Sequence, residues 1–409
     1  MLDLAHIRSQ FPALARGEVF LDNPGGTQVP EVVIEAVADY YRHHNANLGG
    51  AFRTSEDSER IFDDARQAMA DLLHSPTPEQ IVFGQNMTTL TFHLTHAMAA
   101  NFGPGDEILV TRLDHDANIS PWVRMAETRG AAIKRLPFDL SDCTLQLDAL
   151  DELLTERTKL FAIGYASNAV GTINPVKELC RRAQEVGAWT FVDAVQYAPH
   201  GLIDVGDLDC DFLACSAYKF FGPHVGILWG RQELLEQFDV DKVRPAKDRV
   251  PDRYETGTLN HEGIAGTLAA VDYLASLSPG PNPDADRRTR LEHSLTAMEL
   301  AERDLCVVLL EMLESIPGVH IRGITDRDRM ADRVPTVAIT VDGKRPREVA
   351  EHLGRDGIFV WDGDYYAVDV IDDLGLRDAG GMVRIGLAHY NDAEDIDRLG
   401  KSLGQIARA

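Results

Sequence analysis

The chain has 409 residues, enough for two or three conventional domains or for one large catalytic domain with a smaller companion. Hydrophobic residues make up 44% of it and charged residues 26%, which excludes a disordered or fibrous protein. The formal net charge of −25 disfavours binding to nucleic acid and to anionic membrane surfaces, because their phosphate groups would be repelled.

Short β-branched segments alternate with helical periodicity from about residue 30 to residue 265. This alternation predicts βαβ units and a mainly parallel sheet covered on both faces, with ligands bound at the carboxyl ends of the strands. The predicted strands are Ile81–Phe83, Glu107–Thr111, Ala132–Leu136, Lys159–Gly164, Trp189–Asp193, Phe212–Ser216 and Ile227–Trp229. The predicted helices include Glu56–Leu73, Thr88–Ala99, Asp148–Leu154 and Val176–Val186.

A segment rich in proline and glycine, Ser278–Pro283, predicts a boundary or a surface loop. We therefore expect an N-terminal segment (1–18), a large domain (19–277) and a smaller C-terminal α/β domain (278–409). The small domain is predicted to open with a long helix over residues 287–315. Its predicted strands are Val319–Arg322, Thr336–Val341, Ile358–Trp361 and Met382–Gly386, and its later helices are Pro346–Arg355 and Ala393–Ala407.

The five cysteines are odd in number and show no CxxC spacing of the metal-binding type. This usage indicates a reducing compartment rather than a set of disulfides or a metal centre. Residues 1–11 contain no apolar core of signal-peptide length, and no run of about 18 apolar residues occurs in the sequence. We expect a soluble, cytoplasmic protein without a metal site.

Lysine is rare, with eight of the 40 basic residues, and Lys219 stands in an unusual place. It follows an apolar strand and begins an aromatic, glycine-containing turn, within the segment Phe212–Pro223. Loss of hydration there lowers the pKa of the amine and favours a nucleophile that can form a Schiff base. The alternative is a lysine whose stem packs on aromatic rings while its ammonium group reaches water.

Asp193 ends the buried strand that precedes the strand before Lys219. A carboxylate in this position can keep a pyridine nitrogen protonated, as pyridoxal 5'-phosphate (PLP) requires to act as an electron sink. Gln196, three residues later, could donate a hydrogen bond to the phenolic oxygen of such a ring. The alternative for Asp193 is an N-cap of the following helix.

The pattern Asp193-x-x-Gln196 followed by Ser216-x-x-Lys219 resembles fold-type I PLP enzymes of the class V aminotransferase group, and within it the cysteine desulfurases. The resemblance covers about residues 19–403, and several motifs agree in order and spacing. It implies the α/β fold of fold-type I PLP-dependent transferases, with a large domain built on a mainly parallel sheet and a smaller C-terminal α/β domain. It also implies PLP carried on Lys219.

The resemblance places a phosphate-binding loop at Asn86, Met87 and Thr88, although the usual Gly-Thr pair of the family is absent there. Backbone N–H groups and a threonine hydroxyl at the start of a helix suit an anion. The alternative is a plain N-cap at Thr88. The resemblance further implies phosphate contacts from Ser216 and from Tyr218, a position where the family more often has histidine.

Five other residues match family positions. His115 matches a histidine that stacks on the cofactor ring and takes part in proton transfer. Asn168 matches an asparagine that touches the substrate or the ring oxygen, and Arg384 matches the arginine that holds the substrate α-carboxylate. Gly25 and Gly26 fall in the substrate-side loop, where glycine permits close backbone approach. The alternatives are a loop histidine bonded to nearby aspartates, a turn asparagine and a surface ion pair.

The segment Tyr254–Thr258 resembles one that reaches the cofactor phosphate of the neighbouring subunit, with Thr258 as the contact. The resemblance therefore implies a homodimer.

The chain departs from cysteine desulfurases in the segment Val360–Ala367, which matches the loop of their catalytic cysteine. Tyr366 stands at or next to the cysteine position, and no cysteine follows Cys306. Because a phenol cannot replace a thiolate in persulfide formation, we expect Tyr366 to act as an acid or base or to stack on a substrate side chain. The alternative is that Tyr365 and Tyr366 wall the pocket.

These features predict a PLP-dependent enzyme that acts on an amino acid through an α-carbanion. We favour C–S bond cleavage, by a cysteine desulfurase-like enzyme or by a lyase acting on cysteine or on a cysteine thioether or sulfoxide, because elimination needs only Lys219 as base and a leaving group. The alternatives are an epimerase or aminotransferase, a non-catalytic partner in sulfur trafficking, and a desulfurase that uses another cysteine. Strand alternation turns the nearest one, Cys215, away from the Ser216 side.

Overall fold

The computed structural model describes residues 2–278, 280, 282 and 284–408, so Pro279, Pro281 and Pro283 of the predicted boundary segment lie outside the described residues. The α-helices in the described part are Leu4–Ser9 (α1), Glu31–Asp39 (α2), Arg53–Leu73 (α3), Met87–Met98 (α4), Ser120–Arg129 (α5), Leu150–Leu153 (α6), Val176–Glu185 (α7), Val205–Leu208 (α8), Gln232–Gln237 (α9), His261–Ser276 (α10), Arg287–Glu314 (α11), Pro346–Arg355 (α12), Val368–Asp373 (α13) and Ala393–Arg408 (α14). The strands are Val19–Phe20 (β1), Ile81–Gly84 (β2), Glu107–Thr111 (β3), Ala132–Leu136 (β4), Thr158–Gly164 (β5), Trp189–Asp193 (β6), Phe212–Ser216 (β7), Gly226–Gly230 (β8), Val319–Arg322 (β9), Thr336–Val341 (β10), Ile358–Phe359 (β11), Trp361–Gly363 (β12) and Met382–Gly386 (β13).

The large sheet has the strand order β2-β8-β7-β6-β5-β3-β4. The five strands from β7 to β4 in this order run parallel, and β8 is antiparallel to both of its neighbours. Both faces of the sheet are buried because side chains alternate between two apolar clusters: Leu109 packs in one, and Ile108 and Val110 pack in the other. The prediction of an α/β fold with a mainly parallel sheet is confirmed.

A second sheet is antiparallel, with the order β12-β13-β10-β9, and it shares an apolar cluster with α11, α12 and α14. The start of the chain joins this part, because β1 pairs in parallel with β11 and the side chains of Val19 and Leu21 lie in the same cluster. The predicted domain limits at residues 18 and 277 stay predictions. None of the helices in the described ranges combines the length and the apolar content needed to cross a membrane.

The prediction of one strand over Ile358–Trp361 is wrong. Residues 358–359 pair with β1, whereas residues 361–363 pair with β13 in the antiparallel sheet. A chain cannot keep one straight strand in two sheets, so it changes direction at Val360. The predicted helix Asp148–Leu154 is also shorter in the structure, where a 3₁₀ turn leads into the four residues of α6.

The loop after β1 crosses the end of β13 at close range. The Asn23 side-chain amide donates to the carbonyl oxygens of Phe20 (3.0 Å) and Gly386 (2.8 Å), and Pro24 lies directly against Gly386. A Cβ atom at position 386 would collide with the Pro24 ring. Glycine at this position therefore lets the loop 22–26 lie against β13.

We expect Gly386→Ala to lower the free energy of unfolding by about 1–3 kcal/mol, because the added methyl group must push the Pro24 turn away from β13. The matched control is Gly354→Ala in α12, where an added Cβ has no neighbour within 4 Å and a helical alanine is neutral or stabilising. Urea unfolding of both variants measures the difference. Equal midpoints for the two variants would contradict the close packing of Pro24 on Gly386.

Candidate active site

A cavity of about 580 Å³ opens at the carboxyl ends of β5, β6 and β7, where Gly164, Asp193 and Ser216 line it. Residues of β12 and β13 and of the loops between them form its other side. The sequence-predicted site residues that line the cavity are Gly25, Asn86, Met87, Thr88, His115, Asn168, Asp193, Gln196, Ser216, Tyr218, Lys219, Tyr366 and Arg384. The structure thus brings them together, and their individual roles stay predictions.

Two predicted residues do not line this cavity. Gly26 is packed close to Tyr218, because an added Cβ would be 3.2 Å from the Tyr218 ring. Thr258 is exposed, in a loop between Tyr254 and the start of α10. Its predicted contact with the phosphate site of a neighbouring subunit stays a prediction.

Lys219 holds its amine inside the cavity, donating to the carbonyl oxygen of Pro24 and lying 4.9 Å from the centroid of the Tyr218 ring. Burial, together with the charge of Arg384, lowers the pKa of this amine to about 7, while the charge of Asp193 acts in the opposite direction. At pH 8 most of the Lys219 amine is therefore unprotonated, as a nucleophile or base requires.

Asp193 is buried at the end of β6, and its carboxylate accepts a hydrogen bond from the N–H of Val195 (2.9 Å). The Val195 N–H belongs to a turn, because the next helix, α8, begins only at Val205. The alternative of Asp193 as a helix N-cap is therefore wrong. Burial raises the pKa of Asp193 to about 6, and the nearby Lys219 charge opposes the rise. The Gln196 amide donates to the Thr336 hydroxyl (3.0 Å), which ties the cavity floor to β10.

The N-terminal end of α4 lies at the cavity wall. Asn86 is the N-cap, because its side chain accepts from the N–H of Thr89 (2.9 Å), so the alternative of an N-cap at Thr88 is wrong. The Ser216 hydroxyl accepts from the N–H of Met87 (3.1 Å). Thr88 remains at the cavity wall on a helix end whose dipole favours an anion.

His115 is neutral in this setting. Burial lowers its pKa to about 4, the charges of Lys219 and Arg384 add to this effect, and Asp364 opposes it. Nδ1 accepts from the N–H of Ala117 (3.0 Å), which places the proton of the neutral ring on Nε2. Because this contact is to the backbone, the alternative of a histidine bonded to neighbouring aspartates is wrong. The ring stacks on Tyr366 with centroids 5.4 Å apart.

Arg384 is 5% exposed, so the alternative of a surface ion pair is wrong. Its guanidinium donates to the carbonyl oxygen of Asn168 (2.8 Å) and lies 4.4 Å from the centroid of the Tyr365 ring. Within the described residues it has no salt-bridge partner, and its Nε and the Asn168 Oδ1 are both buried without a hydrogen bond. Burial lowers the pKa of Arg384 to about 10, so it stays charged and can bind an anion.

Tyr365 and Tyr366 both have left-handed backbone conformations, with φ of 54° and 60°. Bulky side chains rarely adopt this conformation, which costs about 1–3 kcal/mol per residue. Hydrogen bonds hold both residues in place: Asn168 donates to the carbonyl of Tyr365 (2.8 Å), and the Asp116 N–H donates to that of Tyr366 (2.7 Å). The Tyr365 hydroxyl donates to the carbonyl of Met382.

The sequence interpretation gave no role to several residues that line the cavity, among them Trp361, Asp364 and Arg377. Trp361 is the register partner of Arg384 across β12 and β13. The merged strand prediction hid this pairing. The consecutive glycines at 380 and 381, which also line the cavity, are a turn signal that could have placed this hairpin beside the site.

None of the five cysteines lines the cavity. All are buried, and burial raises the pKa of each of the four thiols at positions 180, 210, 215 and 306 and raises that of Cys143 to about 11. The side chains of Cys215 and Ala214 lie on opposite faces of the sheet, in different apolar clusters. These thiols are poor nucleophiles in the positions they occupy.

The family model described as aminotransferase class V matches residues 19–399. The aminotransferase-like protein FGM3 of Gibberella zeae is 35% identical, over 97% of this chain and 96% of its own. A probable cysteine desulfurase of Pseudomonas aeruginosa is 33% identical, over 96% and 95%. An apo structure of the cysteine desulfurase from Thermococcus onnurineus NA1 superposes with a TM-score of 0.89 at 26% identity and covers 100% of this chain and 98% of that one.

Burial is the main cause of the lowered pKa of Lys219, and the charge of Arg384 contributes to it. We expect the rate of PLP uptake by the cofactor-free protein to rise with pH and level off, with a midpoint near pH 7, because the unprotonated amine reacts. Arg384→Gln removes a charge that lowers the pKa of Lys219, so its midpoint should lie at higher pH. The Arg124→Gln variant, at an exposed arginine that pairs with the exposed Glu127, serves as control and should match the wild type. A midpoint that stays or falls in Arg384→Gln would contradict the coupling.

Proposed function

The chain belongs to the class V aminotransferase family of PLP-dependent enzymes, and we propose that it cleaves the carbon–sulfur bond of a cysteine derivative by β-elimination, without a protein thiol. One observation carries the proposal: an amine of lowered pKa shares a cavity with a guanidinium that has no salt bridge among the described residues, and none of the five cysteines lines this cavity. Relatives named as cysteine desulfurases support chemistry at sulfur.

The cavity residues fit PLP. Lys219 supplies the amine, Asp193 supplies a buried carboxylate at a strand end, and the neutral His115 ring can stack without adding charge. The start of α4, with Thr88 and Ser216, suits the phosphate group. When bound there, PLP supplies a sink for the electron pair that remains when the α-carbon loses its proton.

Substrate binding falls to Arg384 and Asn168. The guanidinium lies over the Tyr365 ring. Because no carboxylate of the described residues pairs with it, the substrate α-carboxylate would be its anionic partner. The buried Asn168 Oδ1 lacks a donor and can accept one hydrogen bond from the bound molecule. These two contacts orient the α-carbon toward the amine of Lys219.

Lys219 then acts as the base. Its neutral amine takes the α-proton, the C–S bond breaks with its electron pair on sulfur, and the proton carried by Lys219 completes the thiol. Water adds to the remaining three-carbon fragment and gives pyruvate and ammonia. The overall reaction consumes one water and requires no oxidant or reductant.

A homodimer and a cytoplasmic location belong to the same proposal. The dimer rests on the resemblance and is supported by the exposed position of Thr258, next to the start of α10.

We expect PLP-loaded protein to convert L-cysteine and S-ethyl-L-cysteine to pyruvate with an equal amount of sulfide or ethanethiol. Prior treatment with iodoacetamide should leave the yield unchanged, since the five cysteines are buried. Lys219→Ala should lose at least about a hundredfold in rate, whereas Lys177→Ala, at an exposed ion pair with Asp207, should not. The assay measures pyruvate, alanine, thiol and the D-amino acid together.

Alanine formed with sulfide would contradict elimination and indicate desulfuration. Formation of the D-amino acid without pyruvate would contradict C–S cleavage and indicate epimerisation.

A further inference from the structure

The mouth of the cavity carries two exposed aromatic rings. Trp361 is 50% exposed and Tyr366 is 69% exposed, and both line the cavity. The Trp361 indole lies over Gly25, where any Cβ would collide with it, and Tyr366 stacks on His115. We call Trp361, Asp364 and Tyr366 the rim. Large rings that remain half or more exposed at a cavity mouth are positioned to contact a bound molecule.

The rim also carries a carboxylate without a cationic partner. Asp364 accepts a hydrogen bond from the N–H of Tyr366 (2.9 Å) and has no salt bridge in the described ranges. The adjacent Asp362 differs, because it pairs with Arg347 at 3.1 Å. Among the described residues, the rim therefore offers one carboxylate that is not engaged in a salt bridge.

One cationic side chain, Arg377, lines the outer cavity, but it is already engaged. It donates to the Asp372 carboxylate, and the charges of Asp364 and Asp378 act with that bond to raise its pKa. A substrate anion would have to compete with Asp372 and would meet the carboxylate of Asp364. The charges around the cavity mouth, like the net charge of −25, therefore favour a bound cation there over a bound anion.

The rim is close to the position expected for the substrate. Trp361 and Arg384 are direct partners across the antiparallel pair β12–β13, so their side chains leave the same face of the sheet. A substrate held by its carboxylate at Arg384 can therefore place a side chain longer than that of cysteine between Trp361 and Tyr366.

We propose that the rim is a subsite for a positively charged head group. This inference rests on the proposed C–S cleavage. The substrate would then be a cysteine thioether whose sulfur substituent ends in an amine or a cationic ring. Two aromatic faces attract the cation and Asp364 supplies the counter-charge, whereas a carboxylate at the same place is repelled.

The test compares three thioethers of similar size with the PLP-loaded protein at pH 8: S-(2-aminoethyl)-L-cysteine, S-ethyl-L-cysteine and S-carboxymethyl-L-cysteine. Their dissociation constants are read from the absorbance change of the bound cofactor immediately after mixing, before turnover, and pyruvate is measured separately. We expect the aminoethyl compound to bind about tenfold more tightly than the ethyl compound and the carboxymethyl compound to bind most weakly. High salt should reduce the difference.

Two variants locate the effect. Asp364→Asn should reduce the preference for the aminoethyl over the ethyl compound about fivefold. Trp361→Ala, as a separate variant, should also reduce this preference because a cation–π partner is lost. Asp148→Asn, which removes an exposed carboxylate that does not line the cavity, should leave the preference unchanged.

Equal affinities, tighter binding of the carboxymethyl compound, or binding of none of the three would overturn the subsite. Pyruvate distinguishes this outcome from failure of the proposed function. Equal affinities with pyruvate release leave C–S cleavage intact, whereas a cationic preference without pyruvate supports the subsite and rejects elimination.

Discussion

A buried guanidinium without a counter-ion is the constraint around which the cavity is built. Removing the charge of Arg384 from water is costly, and within the described residues no carboxylate pairs with it. The carboxyl group of Asp22 acts on it from a longer distance, and burial raises the pKa of that carboxyl to about 6, which weakens it as a counter-ion at lower pH. A site of this kind is stabilised by an anion supplied from outside, and an amino acid carries one.

The support for Arg384 comes from both sheets. Tyr365, from the hairpin side, stacks beneath the guanidinium, while Asn168, from the loop after β5, offers its carbonyl to Arg384 and its amide to Tyr365. These contacts hold the Tyr365 backbone in its left-handed conformation, which is strained for a bulky residue. The cavity therefore exists only when the antiparallel sheet docks on the carboxyl ends of the parallel strands.

The same arrangement separates two electrostatic regions. Deep in the cavity, burial lowers the pKa of the Lys219 amine, and the charge of Arg384 acts in the same direction, so the amine is prepared as a base. At the mouth, Asp364 and the exposed aromatic rings reverse the sign of the charge. An amino acid with an anionic head and a cationic tail matches this distribution from the inside outward.

Much of the deep site could be predicted from the sequence because it sits at the ends of regular strands. Asp193 and Ser216 end β6 and β7, and parallel strands bring such ends to one edge. The outer site could not be predicted in the same way. The strand break at Val360 depends on pairing with distant β1, and the left-handed conformation at Tyr365 is not signalled by glycine or asparagine. Long-range contacts alone impose both features.

A double-mutant cycle between Arg384 and the substrate carboxylate measures most directly whether the buried guanidinium binds the amino acid. Dissociation constants of S-ethyl-L-cysteine and its carboxamide would be measured with PLP-loaded wild type and Arg384→Gln. If Arg384 binds the carboxylate, the amide binds the wild type about 30-fold or more weakly than the acid does, and the difference nearly disappears in the variant. The same discrimination in both proteins would show that the carboxylate binds elsewhere and would contradict the role of Arg384 as its partner.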